Sequence, residues 1–302
     1  IPGVVKEGKS WRIPDGAEKP ADGRVLSGKY VKKEGKEARK PLPIGISDYV
    51  RAQSEYYYVD KTGMIKEFLD RRPLVSLFTR PRRFGKTLNM DMLRVFFEIS
   101  DTDTSQCFRD KEIWKCGEEY REHQGKYPVI FLSFADVKQT NYKDAIQKIK
   151  NCIVEAYRNF PQLITWDGFS EGERRQIMAV TSEMDDVTAQ DALKNLSAWL
   201  EHYYGKKAII LLDEYDTPMQ EAYVHGYWEQ FTAFIRSLFN ASFKTNPYLE
   251  RALMTGVTRV SKESIFSDLN NLRVITTTSD LYADCFGSVS YTHLRAHETC
   301  AD

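Results

Sequence analysis

Residues 79–87 read Thr-Arg-Pro-Arg-Arg-Phe-Gly-Lys-Thr, and the segments on either side of them differ in period. Before them, Pro-Leu-Val-Ser-Leu-Phe-Thr (73–79) is a short apolar run suited to a buried strand. After them, Thr-Leu-Asn-Met-Asp-Met-Leu-Arg-Val-Phe-Phe-Glu-Ile (87–99) has a helical period. The order is therefore strand, loop, helix. A glycine and a lysine stand where the helix begins.

That context is the one in which G-x-x-x-x-G-K-[ST] forms a phosphate-binding loop, because backbone N–H groups converge on an anion at the helix N-terminus. Gly85 allows close backbone approach, Lys86 brings a point charge to the β- and γ-phosphates, and Thr87 offers a hydroxyl to Mg²⁺. The pattern departs at its first glycine, where Arg80 stands. Arg82 and Arg83 add positive charge that compensates for it. The whole loop, Arg80, Pro81, Arg82, Arg83, Phe84, Gly85, Lys86, Thr87 and Leu88, is taken as the candidate nucleotide-binding segment.

A second segment completes the chemistry. Ala208–Leu212 is wholly apolar and is followed by Asp213 and Glu214. A buried strand that ends in two carboxylates is costly unless they have partners. In the Walker B arrangement the first carboxylate holds Mg²⁺ and the second orients and deprotonates the attacking water. Asp213 and Thr87 are thus the candidate metal ligands, and Glu214 is the candidate base. The plainer reading is that the two acids only cap a strand. Thr-Gly-Val-Thr-Arg-Val (255–260) ends another expected strand. Thr258 is the candidate γ-phosphate sensor. Arg259 is a candidate contact to phosphate or to a neighbouring subunit, with a surface ion pair as the alternative. Asp60 and Lys61 line an adenine pocket in one reading and cap a helix in the other.

Further strands are expected at 127–134, 206–216, 251–258 and, at an edge, 272–278, with helices at 141–158, 188–204 and 220–242. Residues 162–187 are polar and read as a loop or a short helix. Strands alternating with helices imply an α/β fold, a parallel sheet covered on both faces.

Bulk properties exclude several classes. The 302 residues carry 43 Lys and Arg against 43 Asp and Glu, so the chain as a whole advertises neither a nucleic-acid nor a membrane partner. The charge is uneven, with 11 basic against 6 acidic residues in 1–40 and 32 against 37 in the rest. The five cysteines form no C-x-x-C pair, which argues against a zinc ribbon or a disulfide framework. No apolar run approaches the ~18 residues of a membrane span, and a reducing cytoplasm fits. Residues 288–302 resemble the accidental translation of a sequencing adapter. His293, His297 and Cys300 are therefore set aside as metal ligands, and the natural chain is expected to continue past Gly287.

Several motifs occur together: Leu-Pro-Ile-Gly-Ile-Ser-Asp-Tyr (42–49), Tyr-Tyr-Val-Asp-Lys-Thr (57–62), residues 77–93 around the loop, Leu-Leu-Asp-Glu-Tyr-Asp (211–216) and Thr-Gly-Val-Thr-Arg (255–259). Their order resembles a bacterial family of AAA-like ATPases, P-loop NTPases whose loop usually carries arginine where Arg80 stands. The resemblance covers residues 41–287. It implies an AAA/ASCE-like P-loop fold, ATP with Mg²⁺ as cofactors, and action through a homo-oligomer or another protein partner. It also implies that members often carry a C-terminal nuclease-like domain of the PD-(D/E)xK type. ATP is preferred to GTP, since no N-K-x-D-like segment is present. Residues 1–24, with Trp11 and two Ile-Pro steps, resemble the wing of small helix-turn-helix proteins of the excisionase/MerR type. Residues 1–40 are expected to be a basic arm, and nucleic acid is a weaker partner through that arm or through a nuclease domain. The expected function is Mg²⁺-dependent ATP hydrolysis coupled to a conformational change or a partner. The alternative is an ATP-gated sensor that hydrolyses negligibly.

Overall fold

The computed structural model describes residues 5–7, 10–12, 40–258, 265–266 and 269–287. The chain divides into two compact units, residues 1–40 and 41–302. In the first, β1 (Val5–Glu7) and β2 (Ser10–Arg12) pair antiparallel, with Lys6 opposite Trp11.

The second unit is built on five parallel strands: β3 (Val75–Thr79), β4 (Val129–Ser133), β5 (Ala208–Asp213), β6 (Leu249–Gly256) and β7 (Leu272–Ile275). They lie in the order β4-β5-β6-β3-β7. β7 is the edge strand next to β3, as its sequence implies. β6 lies between the strand that feeds the glycine-lysine loop and the strand that ends in Asp213.

Side chains alternate across the three central strands, and both sets are buried. Val75, Leu77, Ile210, Leu212, Ala252 and Met254 face one core, while Phe78, Ile209, Leu211 and Leu253 face the other. Burial on two faces is why the strands read as unbroken apolar runs rather than alternating ones. On one face lie α4 (Tyr142–Arg158), α6 (Asp186–Tyr204) and α8 (Trp228–Phe239). On the other lie α1 (Tyr49–Glu55), α2 (Gly63–Arg71) and α3 (Lys86–Phe97). The outer elements include α5 (Glu171–Met178), which starts with a capping box of Ser170 and Glu173, and α7 (Thr217–Val224). α5 falls within the polar stretch 162–187.

Three differences from the sequence reading have local causes. The expected helix 220–242 is two helices, because Gly226 at φ 77° breaks it, and it ends in a wider π-helical turn at Asn240–Lys244. The strand expected over 206–216 stops at Asp213, because Glu214 takes φ 52°. The helix α1 has too few apolar positions to announce itself. Asp48 caps it by accepting from the Arg51 N–H at 2.8 Å, and the Asp91 carboxylate on α3 accepts from the Tyr49 N–H at 2.7 Å.

Two contacts secure the face that carries the loop. Arg251 on β6 donates to the carbonyls of Phe68 and Leu69, two of the orphan acceptors in the last turn of α2, and its guanidinium lies over the Phe68 ring. α3 is apolar over most of its circumference and is correspondingly buried. Its Phe96 is fully buried, edge-on to Phe97 and Phe108 at 5.0 and 5.1 Å. Phe96→Ala is expected to lower stability by about 3–5 kcal/mol, as do other large-to-small aromatic changes in a core, read as a shifted midpoint in urea denaturation.

Candidate functional site

Parallel strands deliver all their C-terminal ends to one rim of the sheet, and ligands of such sheets bind beyond that rim. Thr79 ends β3, Asp213 ends β5 and Gly256 ends β6, so the three sequence-predicted segments meet there. The loop 81–85 is exposed, with left-handed backbone at Arg83 (φ 68°) and Gly85 (φ 74°). Gly85 is the N-cap of α3, and the first helical hydrogen bond runs from the Asn89 N–H to the Gly85 carbonyl at 3.0 Å. The N–H groups of Lys86, Thr87 and Leu88 precede that bond. They are the orphan donors from which an anion site is made.

The key contact crosses the sheet. Thr87 Oγ1 donates to Asp213 Oδ2 at 2.7 Å, joining residues 126 positions apart. Asp213 is 1% exposed. Its other oxygen accepts from the hydroxyl of Thr255, a fully buried residue of β6. Thr255 Oγ1 also accepts from the Glu214 N–H at 3.3 Å. One hydroxyl therefore fixes the orientation of the first carboxylate and the backbone that presents the second. Glu214 is half-buried, and its Oε2 accepts from the Thr217 hydroxyl at 3.1 Å. Positive φ in a non-glycine residue costs about 1–3 kcal/mol and persists only where the surroundings impose it. Here it turns Glu214 out of the strand direction immediately after Asp213.

Lys86 is buried, and its ammonium donates to the carbonyls of Arg80 and Pro81 at 2.9 Å each. Burial presses its pKa down, while the carboxylates of Glu214, Asp213 and Asp216 hold it up. The guanidinium of Arg82, one of two exposed arginines beside Gly85, opposes the ammonium.

Arg80, which replaces the first glycine of the pattern, is 4% exposed. Its side chain does not turn toward the loop. Nη1 donates to the carbonyls of Thr79 and of Ile275 on β7, at 3.1 and 3.2 Å, and the guanidinium lies 5.0 Å from the ring centre of Phe286. Arg80 is thus a tie between the loop, the edge strand and the segment after it.

That segment, 281–287, drew no functional reading from sequence, yet it is tied to the end of the loop and to the elements beside it. The Asn89 amide donates to the Cys285 carbonyl at 2.7 Å, the Gly287 N–H to the Phe84 carbonyl at 3.3 Å, and Lys61 to the Asp284 carbonyl at 2.5 Å. Asp60 is occupied as a tie. It accepts from the N–H and hydroxyl of Thr62 and from the N–H of Glu112, while the N-cap of α2 is Thr62 itself. Thr258 is exposed at the exit of β6, where its hydroxyl donates to Asp216 at 2.8 Å. Arg259 lies outside the described residues. Asp216 and Thr255 were missed as site residues. For Thr255 the available signal was the same one that marked Asp213, a polar residue at the end of an apolar run, which a buried rim must satisfy; Asp216 carried no such signal.

The family model described as "Predicted AAA-ATPase" matches residues 43–266. The chain belongs to that family. Membership implies nucleotide binding, and the loop, the two carboxylates and the hydroxyl of Thr87 all fall within the matched residues. The chain is also 28% identical over 251 residues to an "Uncharacterized protein in vnfD 5'region" of Azotobacter chroococcum mcd 1, a match that covers 82% of this chain and 43% of the relative. The chain thus spans less than half the length of that relative. No solved structure matches. No helix among the described residues is long and apolar enough to cross a membrane.

The position of Arg80 yields a prediction. Arg80→Gly, which restores the usual first glycine, leaves two carbonyls near β7 without their donor. It should lower stability by about 1–3 kcal/mol with no gain in nucleotide affinity, measured by thermal denaturation alongside nucleotide titration.

Proposed function

We propose that the chain binds ATP with Mg²⁺ and hydrolyses it at the rim formed by β3, β5 and β6. The observation that carries this reading is the 2.7 Å approach of Thr87 Oγ1 to Asp213 Oδ2, with Glu214 as the next residue. A threonine hydroxyl and a carboxylate oxygen are hard donors of the kind Mg²⁺ takes, and these two, held side by side, would hold the ion. No group of three or more His, Cys, Asp or Glu that could hold a metal occurs among the described residues. A site with few protein ligands suits Mg²⁺, which keeps waters and draws its remaining oxygens from phosphate. When bound, that ion neutralises charge developing on the transferred phosphoryl group.

The chain's own residues do the rest. The α3 N-terminus and the loop N–H groups receive phosphate oxygens. Lys86 exchanges its two carbonyl acceptors for phosphate, a favourable exchange for a buried ammonium because charge-assisted hydrogen bonds are the stronger ones. Thr255 keeps one Asp213 oxygen engaged, so the other faces Thr87. Glu214, held in its left-handed conformation, presents a carboxylate beside that centre and takes the proton from the attacking water. Hydrolysis thus proceeds mainly by positioning and electrostatic stabilisation, as phosphoryl transfer requires.

Two substitutions test this. Lys86→Ala should weaken ATP binding by at least about tenfold, since it removes a buried charge-assisted contact to phosphate. Glu214→Gln should keep ATP binding and lower phosphate release by about 100-fold or more, the loss of a general base. Wild-type turnover in Glu214→Gln overturns the assignment of the base. ATP binding by the wild type without phosphate release favours the sensor reading.

A further inference from the structure

The two residues that follow Asp213 and Glu214 do not leave the site. They grip the end of β6. Asp216 is 1% exposed, and its Oδ2 gathers the N–H of Val257 at 2.9 Å, the N–H of Thr258 at 2.7 Å and the hydroxyl of Thr258 at 2.8 Å. The side-chain amide of Gln220, one turn along α7, donates to the same oxygen at 3.2 Å. Tyr215 is fully buried, and its hydroxyl donates to the Thr258 carbonyl at 2.8 Å. The Tyr215 N–H in turn donates to the Thr255 carbonyl at 2.9 Å.

The fit leaves no slack. A methyl group on Gly256 would stand 2.6 Å from Tyr215 Cε1 and 2.7 Å from Asp216 Oδ1. Glycine at 256 is therefore demanded by the close approach of these two side chains to the β6 backbone, not by its dihedral angles. The same turn that places Glu214 at φ 52° sends Asp216 back across the rim. So the loop after β5 and the loop after β6 are locked as one unit, and Thr255 joins them from the strand side through Asp213.

A buried carboxylate with two consecutive backbone N–H donors and a hydroxyl is an expensive way to hold a surface loop. Desolvating the charge is costly, and any uncharged turn would serve if only stability were needed. The group is justified where the position of the loop matters to a fraction of an ångström.

We propose that Asp216, assisted by Tyr215, is a positioning residue for ATP hydrolysis, holding Thr258 and the β6 exit at a fixed distance from Asp213 and Glu214. This rests on reading the rim as an ATP-hydrolysing site. Asp216 touches no reacting atom in this scheme. It acts through Thr258, whose backbone and hydroxyl it orients.

The test is steady-state ATP turnover and ATP affinity measured together on the full chain, for wild type, Asp216→Ala, Asp216→Asn and Tyr215→Phe, with thermal denaturation alongside. Misplacement of a positioned group costs up to about 100-fold in rate, so Asp216→Ala should lower kcat by about 10- to 100-fold. Its ATP Kd should move by less than about threefold, because the phosphate-binding loop is untouched. Asp216→Asn should fall between, since a neutral oxygen accepts the same bonds more weakly. Tyr215→Phe, which keeps the buried ring, should lower kcat by a smaller factor with Kd unchanged. That split of kcat from Kd, with partial rescue by the amide, is what a merely structural role would not give. Wild-type kcat in Asp216→Ala, or a loss of affinity in step with kcat, overturns the proposal. If Asp216→Ala does not fold, wild-type kcat in both Asp216→Asn and Tyr215→Phe overturns it equally. Failure of the underlying reading looks different: the wild type itself then releases no phosphate, and the proposal falls with it.

Discussion

One hydrogen bond ties the site to the fold. Thr87 Oγ1 meets Asp213 Oδ2 only if two distant strands end at the same height, and that requires the register of the sheet between them. β3 pairs with β6 so that Phe78 faces Thr255, and β5 pairs with β6 so that Leu212 faces Met254. A slip of one residue in either pairing would turn Asp213 or Thr255 to the opposite face of the sheet. The register is enforced by apolar side chains buried on both faces, so the core that stabilises the unit also sets the geometry of its rim.

The rim then concentrates groups that would be unfavourable alone. Asp213 and Asp216 are both almost fully buried. Each is accommodated by donors from β6 or its exit: Thr255 for Asp213, and the 257–258 backbone with the Thr258 hydroxyl for Asp216. The middle strand is therefore more than a spacer between the loop strand and the carboxylate strand. It supplies hydrogen bonds that make two buried acids tolerable.

Much of this was legible in the residues. The strand-loop-helix order around Gly85 and Lys86, and an apolar run ending in Asp213 and Glu214, follow from period and from the cost of buried charge. They gave the parallel α/β fold and brought Thr87 and Asp213 to one place. Tertiary matters were hidden. Arg80 reads as part of a phosphate loop, yet its direction is decided by the Ile275 carbonyl and the Phe286 ring, about 200 positions away in sequence. Thr258 stood out as the polar residue ending the expected strand 251–258, while Thr255, three residues earlier, is the one whose hydroxyl reaches Asp213. Only the pairing register distinguishes them. Asp216 was invisible because two of its donors are backbone N–H groups, which leave no mark in a sequence, and a third, the Thr258 hydroxyl, comes from another strand's exit. Asp48, which starts α1, is a short-range cap of the kind that composition conceals when few apolar residues follow.

The central claim is that Thr87 and Asp213 form one divalent-cation site for a bound nucleotide. The most direct measurement is ATP affinity by calorimetry with Mg²⁺ and again with the metal chelated, for the wild type and for Asp213→Asn. The account predicts that chelation weakens ATP binding to the wild type by at least about tenfold and that Asp213→Asn binds weakly under both conditions. ATP binding that is equally tight with and without the metal, and unaffected by Asp213→Asn, would contradict it.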